Sequence, residues 1–280
     1  QGLLAEETRA EGARSSGASL APKKPHHQPR AKRVIFLYMT GGVSHVDSFD
    51  PKPELFAHHG KKINVDNWQG KLGEFTRYLK KPDWKFSRGG KSGIEVSDLF
   101  PHMRGIVDDL CVIRSMESNH TNHYESTLGM HCGSWDFARP SIGAWVTYGL
   151  GSENDNLPGF VTICPPLTYG GQRNFGSAFL PAAYQGTMIG TNRVPAKDAH
   201  FSNIENKSLS AADQRRLLDL LQAANREQLS RTGADAALEA RIASFELAFR
   251  MQSAAPEAFD LSGESKITQE LYAVSYTHLR

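Results

Sequence analysis

Three short, mostly apolar runs stand out from the pattern of hydrophobic and polar positions along the chain. They cover Val34–Met39, Leu110–Met116 and Phe160–Cys164, and each is followed at once by turn-forming or polar residues. Runs of this length, rich in β-branched side chains, are typical of strands buried on both faces. We therefore predict a buried strand over each range.

Helical spacing of apolar residues separates these three runs. Ser97 is the predicted cap of a helix over Asp98–Asp108, and two more helices are predicted over Asn122–Cys132 and Ser141–Leu150. A helix between two strands of one sheet implies a parallel, right-handed crossover. The predicted fold class is therefore α/β, with a mostly parallel sheet flanked by helices.

The second half of the chain predicts a helical hairpin. Ser210 can cap a helix that runs to about Ser230 and is ended by Gly233. A second helix carries one apolar stripe, which we interpret as core packing. Its residues are Leu238, Ile242, Phe245 and Phe249.

Two segments show no sustained hydrophobic period. We predict that Pro51–Arg88 is an irregular surface excursion and that Pro165–Ser202 is a long loop region. Gly89–Gly93 resembles a phosphate-binding loop only superficially, because it lacks the spacing of that motif, and a turn is expected there.

Polar side chains follow the first two predicted strands. Ligands in open α/β sheets bind beyond the carboxyl ends of the strands, so we expect Asp47 and the His120–His123 loop to face one crevice. Imidazoles there could bind a metal ion or hold an anionic ester, and the alternative is a solvated loop with hydrogen-bonded histidines. The candidates are Ser44, His45, Asp47 and Asp50 after the first strand, and His120, Thr121, His123 and Ser126 after the second.

Composition excludes several classes of function. The 280 residues carry a formal net charge of +2, which offers no argument for nucleic acid or an anionic membrane surface as partner. No apolar run approaches the ~20 residues of a membrane span. The three cysteines lack any C-x-x-C spacing, so no disulfide framework or zinc ribbon is indicated. Cys111 and Cys164 are expected to be buried free thiols.

Several ordered motifs between Lys32 and Tyr272 resemble the family catalogued as domain of unknown function 1501, a sulfatase-like branch of the alkaline phosphatase superfamily. The opening motif, Gly41–Pro53, reads Gly-Gly-Val-Ser-His-Val-Asp-Ser-Phe-Asp-Pro-Lys-Pro. The other matching stretches are Ser92–His102, Val112–Met116, Arg139–Trp145, Tyr148–Asn154, Phe179–Pro181, Tyr184–Gly186 and Glu246–Gln252.

This resemblance implies an alkaline-phosphatase or sulfatase-like fold and metal-dependent hydrolysis of sulfate or phosphate esters. A divalent ion, zinc or calcium, would be the cofactor, and the substrate would be an anionic ester, with polysaccharides as one candidate carrier. Asp47 is the best carried-over metal ligand, and His45, two residues away on expected irregular backbone, could share the ion. Thr121 is a candidate hydroxyl nucleophile, with His120 or His123 as the activating base.

The chain also departs from the sulfatase pattern. Thr40-Gly41-Gly42 stands where sulfatases place acidic residues, and neither C-x-P-x-R nor S-x-P-x-R occurs, which disfavours formylglycine chemistry. The alternative function is therefore a non-catalytic, secreted binding protein that retains the fold without the nucleophile.

The ends of the chain are expected to lie outside the folded domain. Residues 1–31 are polar and rich in alanine and glutamate, which suits a flexible lead after an export signal. The resemblance implies a twin-arginine signal and a periplasmic or extracellular location. Residues 32–273 would form the N-terminal portion of the sulfatase-like domain, incomplete at its C-terminus. Residues 274–280 resemble translated adapter sequence and are left out of the predicted fold.

Overall fold

The computed structural model describes residues 20–66, 72–165, 167–191, 193–194, 204–233, 235–260 and 262–271. The chain divides into two compact units, one of residues 34–126 and one of the residues before 34 and from 127 onward. The predicted tail, residues 274–280, and most of the predicted lead lie outside the described residues.

The unit of residues 34–126 contains two small antiparallel hairpins. Its elements are α1 (His45–Ser48), α2 (Pro53–Ala57), β1 (Lys62–Asp66), β2 (Glu74–Tyr78), β3 (Phe86–Gly89), β4 (Ile94–Ser97) and a 3₁₀ segment (Pro101–Asp109). β1 pairs with β2, and β3 pairs with β4. Val96 and Val107 form its buried apolar centre, at 0% and 1% exposure.

The turn between β3 and β4 is held by a single carboxylate. Asp108 accepts hydrogen bonds from the backbone N–H groups of Lys91 and Ser92, both at 2.8 Å. Gly90 has a φ of +56°, and a β-carbon there would overlap Asp108, so glycine is required. These bonds lower the pKa of Asp108, and they confirm that Gly89–Gly93 is a turn.

The two apolar runs predicted as strands in this unit are not strands. Val34–Met39 and Leu110–Met116 have no ladder partner among the described residues. Ile35 is 80% exposed and Ile113 is 64% exposed, so the prediction of burial is also wrong. Cys111, expected to be buried, is exposed for the same reason. An apolar run becomes a strand only when another backbone supplies the hydrogen bonds.

The segment predicted to be irregular holds regular structure instead. Pro51–Arg88 contains α2, β1, β2 and part of β3. The alternation of β1 and β2 is visible in their burial, with every second residue half-buried. The predicted helix over Asp98–Asp108 is the 3₁₀ segment Pro101–Asp109, and Ser97 Oγ accepts a hydrogen bond from the N–H of Leu99.

The second unit is mainly helical. Helix α3 (His123–Cys132) begins at the end of the first unit, and the later elements are α4 (Ile142–Leu150), β5 (Val161–Ile163), β6 (Thr187–Ile189), α5 (Ala211–Thr232), α6 (Ala236–Phe259) and α7 (Lys266–Leu271). Short 3₁₀ segments cover Gly171–Phe175 and Ala182–Tyr184. Ile189, Met251 and Ala255 form a buried apolar cluster.

The third predicted strand is confirmed in shorter form. β5 pairs in parallel with β6, with Thr162 opposite Met188. The region predicted as a long loop, Pro165–Ser202, therefore contains β6, and its last part lies outside the described residues. The fold is a mixture of helices and strands with small sheets that are parallel only in part.

The predicted helical hairpin is confirmed. Ser210 caps α5 by accepting a hydrogen bond from the N–H of Asp213 at 3.2 Å, and Gly233 follows its last residue with a φ of +82°. Asp235 caps α6 through the N–H groups of Ala237 and Leu238. The cap and the end predicted for the first helix, Ser210 and Gly233, are confirmed.

The last residues of the predicted lead contact the second unit. Leu20 accepts a hydrogen bond from the N–H of Ser152 at 2.6 Å. The ammonium group of Lys23 donates to the carbonyl of Tyr148 at 2.7 Å and lies 4.8 Å from the centre of its ring. Residues 20–23 are therefore part of the folded unit, although the sequence assigned them to a flexible segment.

Candidate functional site

The segment from Gly41 to Asp50 begins with a tight turn. Gly41 and Gly42 have φ values of +85° and +76°, which favour glycine, and the N–H of Gly42 donates to the carbonyl of Met39 at 3.0 Å. The chain then enters α1. The buried hydroxyl of Ser48 donates to the carbonyl of Ser44 at 2.8 Å, which closes the helical turn.

This helical turn changes the expected relation between His45 and Asp47. The two residues were expected on irregular backbone, but both lie in α1. Residues two apart on a helix point in different directions. The two side chains therefore do not converge on one ion through local geometry.

Asp50 is the buried acidic residue of this segment. It is 8% exposed, and its carboxylate lies 2.6 Å from the ammonium group of Lys52. The hydrogen bond from Lys52 lowers the pKa of Asp50 against the effect of burial, and the charges of Arg114 and His45 lower it further. Lys52 and Arg114 therefore belong to the same electrostatic environment as His45.

The second polar segment is ordered by its own side chains. His120 Nδ1 accepts a hydrogen bond from the N–H of Asn122 at 3.1 Å, and the hydroxyl of Ser126 donates to the carbonyl of His120 at 2.5 Å. Asn122 Oδ1 accepts from the N–H of Tyr124 at 2.9 Å, at the start of α3. These local bonds shape the loop that carries the candidate imidazoles.

Glu125 adds a carboxylate beside His120. Its Oε2 atom lies 3.7 Å from His120 Nδ1 and is buried without a hydrogen-bond partner among the described residues. Since Nδ1 accepts from Asn122, the neutral ring carries its proton on Nε2. The Glu125 carboxylate therefore interacts with the His120 ring through its charge and not through a hydrogen bond to Nδ1.

The two polar segments approach each other at Gly41. A β-carbon placed on Gly41 would lie 3.9 Å from Cε1 of His123, and Arg114 acts on the carboxyl of Asp50. We call Gly41–Asp50 together with Arg114–Ser126 the polar loop pair. His45, Arg114 and His123 thus come from separate parts of the chain to one region.

Asp47 acts electrostatically on a residue outside the polar loop pair. The pKa of Lys80 is raised chiefly by its hydrogen bond to Asp83, with a smaller contribution from the charge of Asp47. Asp47 is half-buried and near Lys80. A crevice shared by Asp47 and the His120–His123 loop remains a prediction.

The described residues do not by themselves fit a divalent metal ion. No group of three or more His, Cys, Asp or Glu side chains in the part of the chain that the structure describes is arranged to hold one. His45 and Asp47 point apart on α1, and a hydrolytic ion needs several protein ligands in fixed geometry. A metal centre built on Asp47 would need ligands beyond this arrangement.

The hydroxyl of Thr121 forms no hydrogen bond, within the described residues, to a side chain that could act as its general base. Its side chain is exposed, and its hydroxyl makes no hydrogen bond to any other residue that the structure describes. A candidate nucleophile is normally within hydrogen-bond reach of its base, although such bonds can tighten only when substrate binds. The arrangement brings His120, Thr121 and His123 into one loop without joining them.

Sequence reasoning missed Lys52 as part of this region. Asp50-Pro51-Lys52 places opposite charges two residues apart, which is a weak signal until the backbone turn is known.

None of the helices in the described residues combines the length and the apolar character that a membrane span requires.

Comparison with known proteins agrees with the motifs quoted above. A family model described as Protein of unknown function (DUF1501) matches residues 31–278. No curated protein and no solved structure matches the chain.

Proposed function

The chain belongs to the DUF1501 family, and from that premise and the polar loop pair we propose that it binds a sulfate or phosphate ester. The observation that carries the proposal is the electrostatic environment of Asp50. Lys52, Arg114 and His45 all act on this one carboxyl, although Arg114 is distant from the others in sequence. Arg114 is thus a cation brought to this region from a distant part of the chain, and such a group suits an anionic ligand.

Arg114 is the group best suited to hold the ester. It is exposed, and it forms no ion pair with an acidic side chain among the residues that the structure describes. Lys52, in contrast, is already paired with Asp50. A guanidinium group presents donors in a planar fork that matches sulfate and phosphate oxygens. The imidazole of His123, close to Gly41, can donate a further hydrogen bond.

Binding without catalysis is the form of this proposal that the site supports best. The described residues contain no three-ligand metal group, and the chain lacks the nucleophile motifs of sulfatases. Both observations favour a secreted binding protein of the sulfatase-like type. Export to the periplasm or the extracellular space is part of the proposal and rests on the family resemblance.

Metal-dependent hydrolysis of the same esters is the second candidate. It is favoured by the resemblance of Gly41–Pro53 to sulfatase-like sequences and by the proximity of Thr121 to two histidines in sequence. A larger parallel sheet of the alkaline-phosphatase type belongs to this candidate, and the parallel β5–β6 pair supports it. Polysaccharides are the candidate carriers of the ester.

A binding measurement tests the proposal. Calorimetric titration of the protein with 4-nitrocatechol sulfate and with inorganic phosphate should give binding that Arg114→Gln weakens by about tenfold, because charge-assisted hydrogen bonds contribute about 1.5–3 kcal/mol. Arg139→Gln is the matched control, since Arg139 is also exposed. Equal affinity of the Arg114 variant and the wild type would contradict the proposal.

A hydrolysis assay separates the two candidates. Release of nitrophenol from 4-nitrophenyl sulfate and phosphate would be followed with added Zn²⁺, with added Ca²⁺ and with a chelator. Binding without turnover supports the binding protein. Metal-dependent turnover that is lost in both Thr121→Ala and Asp47→Ala supports the hydrolase.

A further inference from the structure

The base of the β1–β2 hairpin gathers lysines from two parts of the chain. The N–H of Gly60 donates to the carbonyl of Leu79 at 2.8 Å, and the N–H of Leu79 donates to the carbonyl of Lys61 at 3.0 Å. The cross-strand register places Lys62 opposite Tyr78. We call the resulting cluster the basic patch, and its residues are Lys61, Lys62, Lys80 and Lys81.

Three of these four lysines form no ion pair. Lys61, Lys62 and Lys81 are exposed and form no ion pair with an acidic side chain in the described part of the chain. Lys80 alone is paired, with Asp83 at 2.7 Å. The whole chain carries only +2, so the basic patch is a local concentration of positive charge.

Exposed aromatic rings accompany the lysines. The ammonium group of Lys62 lies 5.9 Å from the centre of the Tyr78 ring, and Tyr78 is 63% exposed. Trp84, close in sequence to Lys80 and Lys81, is 39% exposed. Flat apolar rings beside cations suit a ligand that has both apolar faces and negative groups, such as a sugar ring that carries an anionic ester.

The basic patch and the polar loop pair belong to the same unit, residues 34–126. The charge of Asp47 contributes to the raised pKa of Lys80, so the two side chains are close enough to interact. The backbone at Lys81 is fixed by a hydrogen bond from its N–H to His59 Nδ1, at 3.4 Å.

The far end of the hairpin limits the length of the ligand that can bind. Asp66 lies opposite Glu74 in the register, and both are exposed. Two like charges side by side repel a polyanion at that end. This charge pair favours binding at the base of the hairpin, which suits a few sugar units better than the continuous phosphate backbone of a nucleic acid.

We propose that the basic patch binds the anionic chain of a sulfated or phosphorylated polysaccharide, whose esters are of the kind that the polar loop pair is proposed to bind. The inference rests on the proposed function and adds its substrate class. Tyr78 supplies a stacking surface for a sugar ring, and the lysines supply charge for the neighbouring ester groups. Uncharged polysaccharides do not bind.

The test compares two triple variants of the full chain. Affinity for dextran sulfate and for unmodified dextran would be measured by biolayer interferometry at two salt concentrations. Lys61→Gln with Lys62→Gln and Lys81→Gln should weaken binding of dextran sulfate by about tenfold, because three exposed ionic contacts are lost. The control triple, Lys207→Gln with Arg226→Gln and Arg241→Gln, removes the same charge from exposed residues elsewhere and should bind normally.

Three further measurements test the role of Tyr78, the role of net charge and the choice between polysaccharide and nucleic acid. Tyr78→Ala should weaken binding of dextran sulfate by about threefold while its charge is unchanged, as expected for loss of an aromatic contact. An equal loss in the control triple would show that net charge alone attracts the polymer, which overturns the proposal. Single-stranded DNA that binds as tightly as dextran sulfate, with the same dependence on the three lysines, would replace the polysaccharide by nucleic acid.

A crossed measurement separates this inference from the proposed function. The Lys61/Lys62/Lys81 variant should bind 4-nitrocatechol sulfate with normal affinity, and Arg114→Gln should still capture dextran sulfate. If the lysine variant captures dextran sulfate normally while Arg114→Gln loses the small ester, the basic patch is not a polymer site and the ester site stands. If neither variant changes its ligand's affinity, both proposals fail.

Discussion

The α5–α6 hairpin was predicted from caps and helical spacing, and the strands Val34–Met39 and Leu110–Met116 from continuous apolar runs, with opposite outcomes. The hairpin has the caps, the end and the apolar stripe expected of it. Val34–Met39 and Leu110–Met116 have the composition of buried strands but lie exposed without ladder partners among the described residues. Reasoning from the sequence thus succeeded for one kind of element and failed for the other.

The difference lies in where each element finds its hydrogen bonds. A helix satisfies its backbone groups within four residues, so a cap such as Ser210 and a stop such as Gly233 define it locally. A strand needs a second backbone, and composition does not reveal which one. Apolar side chains alone therefore favour an extended chain without specifying its partner.

Interhelical contacts then complete what the local signals begin. Arg215 lies on α5 and forms hydrogen bonds with both carboxylate oxygens of Glu246 on α6, at 3.0 Å each. Gln222 is fully buried and donates to the carbonyl of Ile242 and to Glu246, at 3.2 Å each. These bonds set the alignment of two helices that the sequence had already defined separately.

Hydrogen exchange gives the largest expected contrast between the two regions. Amides in the middle of Ala236–Phe259 should exchange at least about a hundredfold more slowly than amides of Val34–Met39 and Leu110–Met116, since packed helical amides open rarely and the two runs belong to no strand ladder among the described residues. Exchange followed by mass spectrometry on the intact protein provides the measurement.

Slow exchange in either apolar run would break the comparison. It would mean that the run is paired as a strand in solution, and the larger parallel sheet predicted from the sequence would regain its support. Fast exchange in both runs, together with a protected α6, would show that the contrast is a property of the molecule in solution.

A smaller effect is expected at the contact between the two helices. Glu246→Gln should reduce the free energy of unfolding by about 0.5–1 kcal/mol, because Arg215 loses one of its two charged partners and keeps the other, Asp219. Glu257→Gln is the control, since Glu257 is an exposed residue of the same helix. Urea unfolding of both variants gives the difference. Equal stability would indicate that the hairpin depends on local signals and apolar packing alone.

The candidate site shows the same division between local and distant information. The sequence identified Gly41–Asp50 and the loop around His120 as polar segments, and the structure brings Gly41 close to His123. The sequence did not identify helix α1, in which the side chains of His45 and Asp47 point in different directions, since a four-residue helix has too few positions to show a period. Because of this helix, the closeness of His45 and Asp47 in sequence no longer argues that they share a metal ion.

The basic patch was hidden for a related reason. Lys-Ile-Asn-Val-Asp alternates as a strand does, but five residues within a long polar segment were not enough to predict β1. Lys61 and Lys81 become neighbours only through the hydrogen bonds between Gly60, Lys61 and Leu79. Charge clusters that depend on strand register are therefore found in a structure and seldom in a sequence.

Helix α3 offers the smallest and most local test, because it follows the second apolar run and yet was predicted correctly. His131 lies near its end, and Nδ1 of its ring is 2.8 Å from the carbonyl of Thr127. Burial lowers the pKa of His131, and the bond to Thr127 opposes this only in part. The folded state therefore takes up a proton less readily than the unfolded state does.

The sign of the pH effect follows from this lowered pKa. Above the ordinary histidine value of 6.5 both states are neutral and His131 contributes no pH dependence. As the pH falls below that value, the unfolded state gains the proton first, so stability declines until the folded value is passed. Thermal unfolding between about pH 5 and pH 7.5 should therefore show a loss of stability in acid that His131→Gln reduces. An unchanged pH profile in the variant would mean that His131 is as accessible to protons in the folded state as in the unfolded one, and that α3 is packed less tightly than its buried residues Thr127, Leu128 and Cys132 indicate.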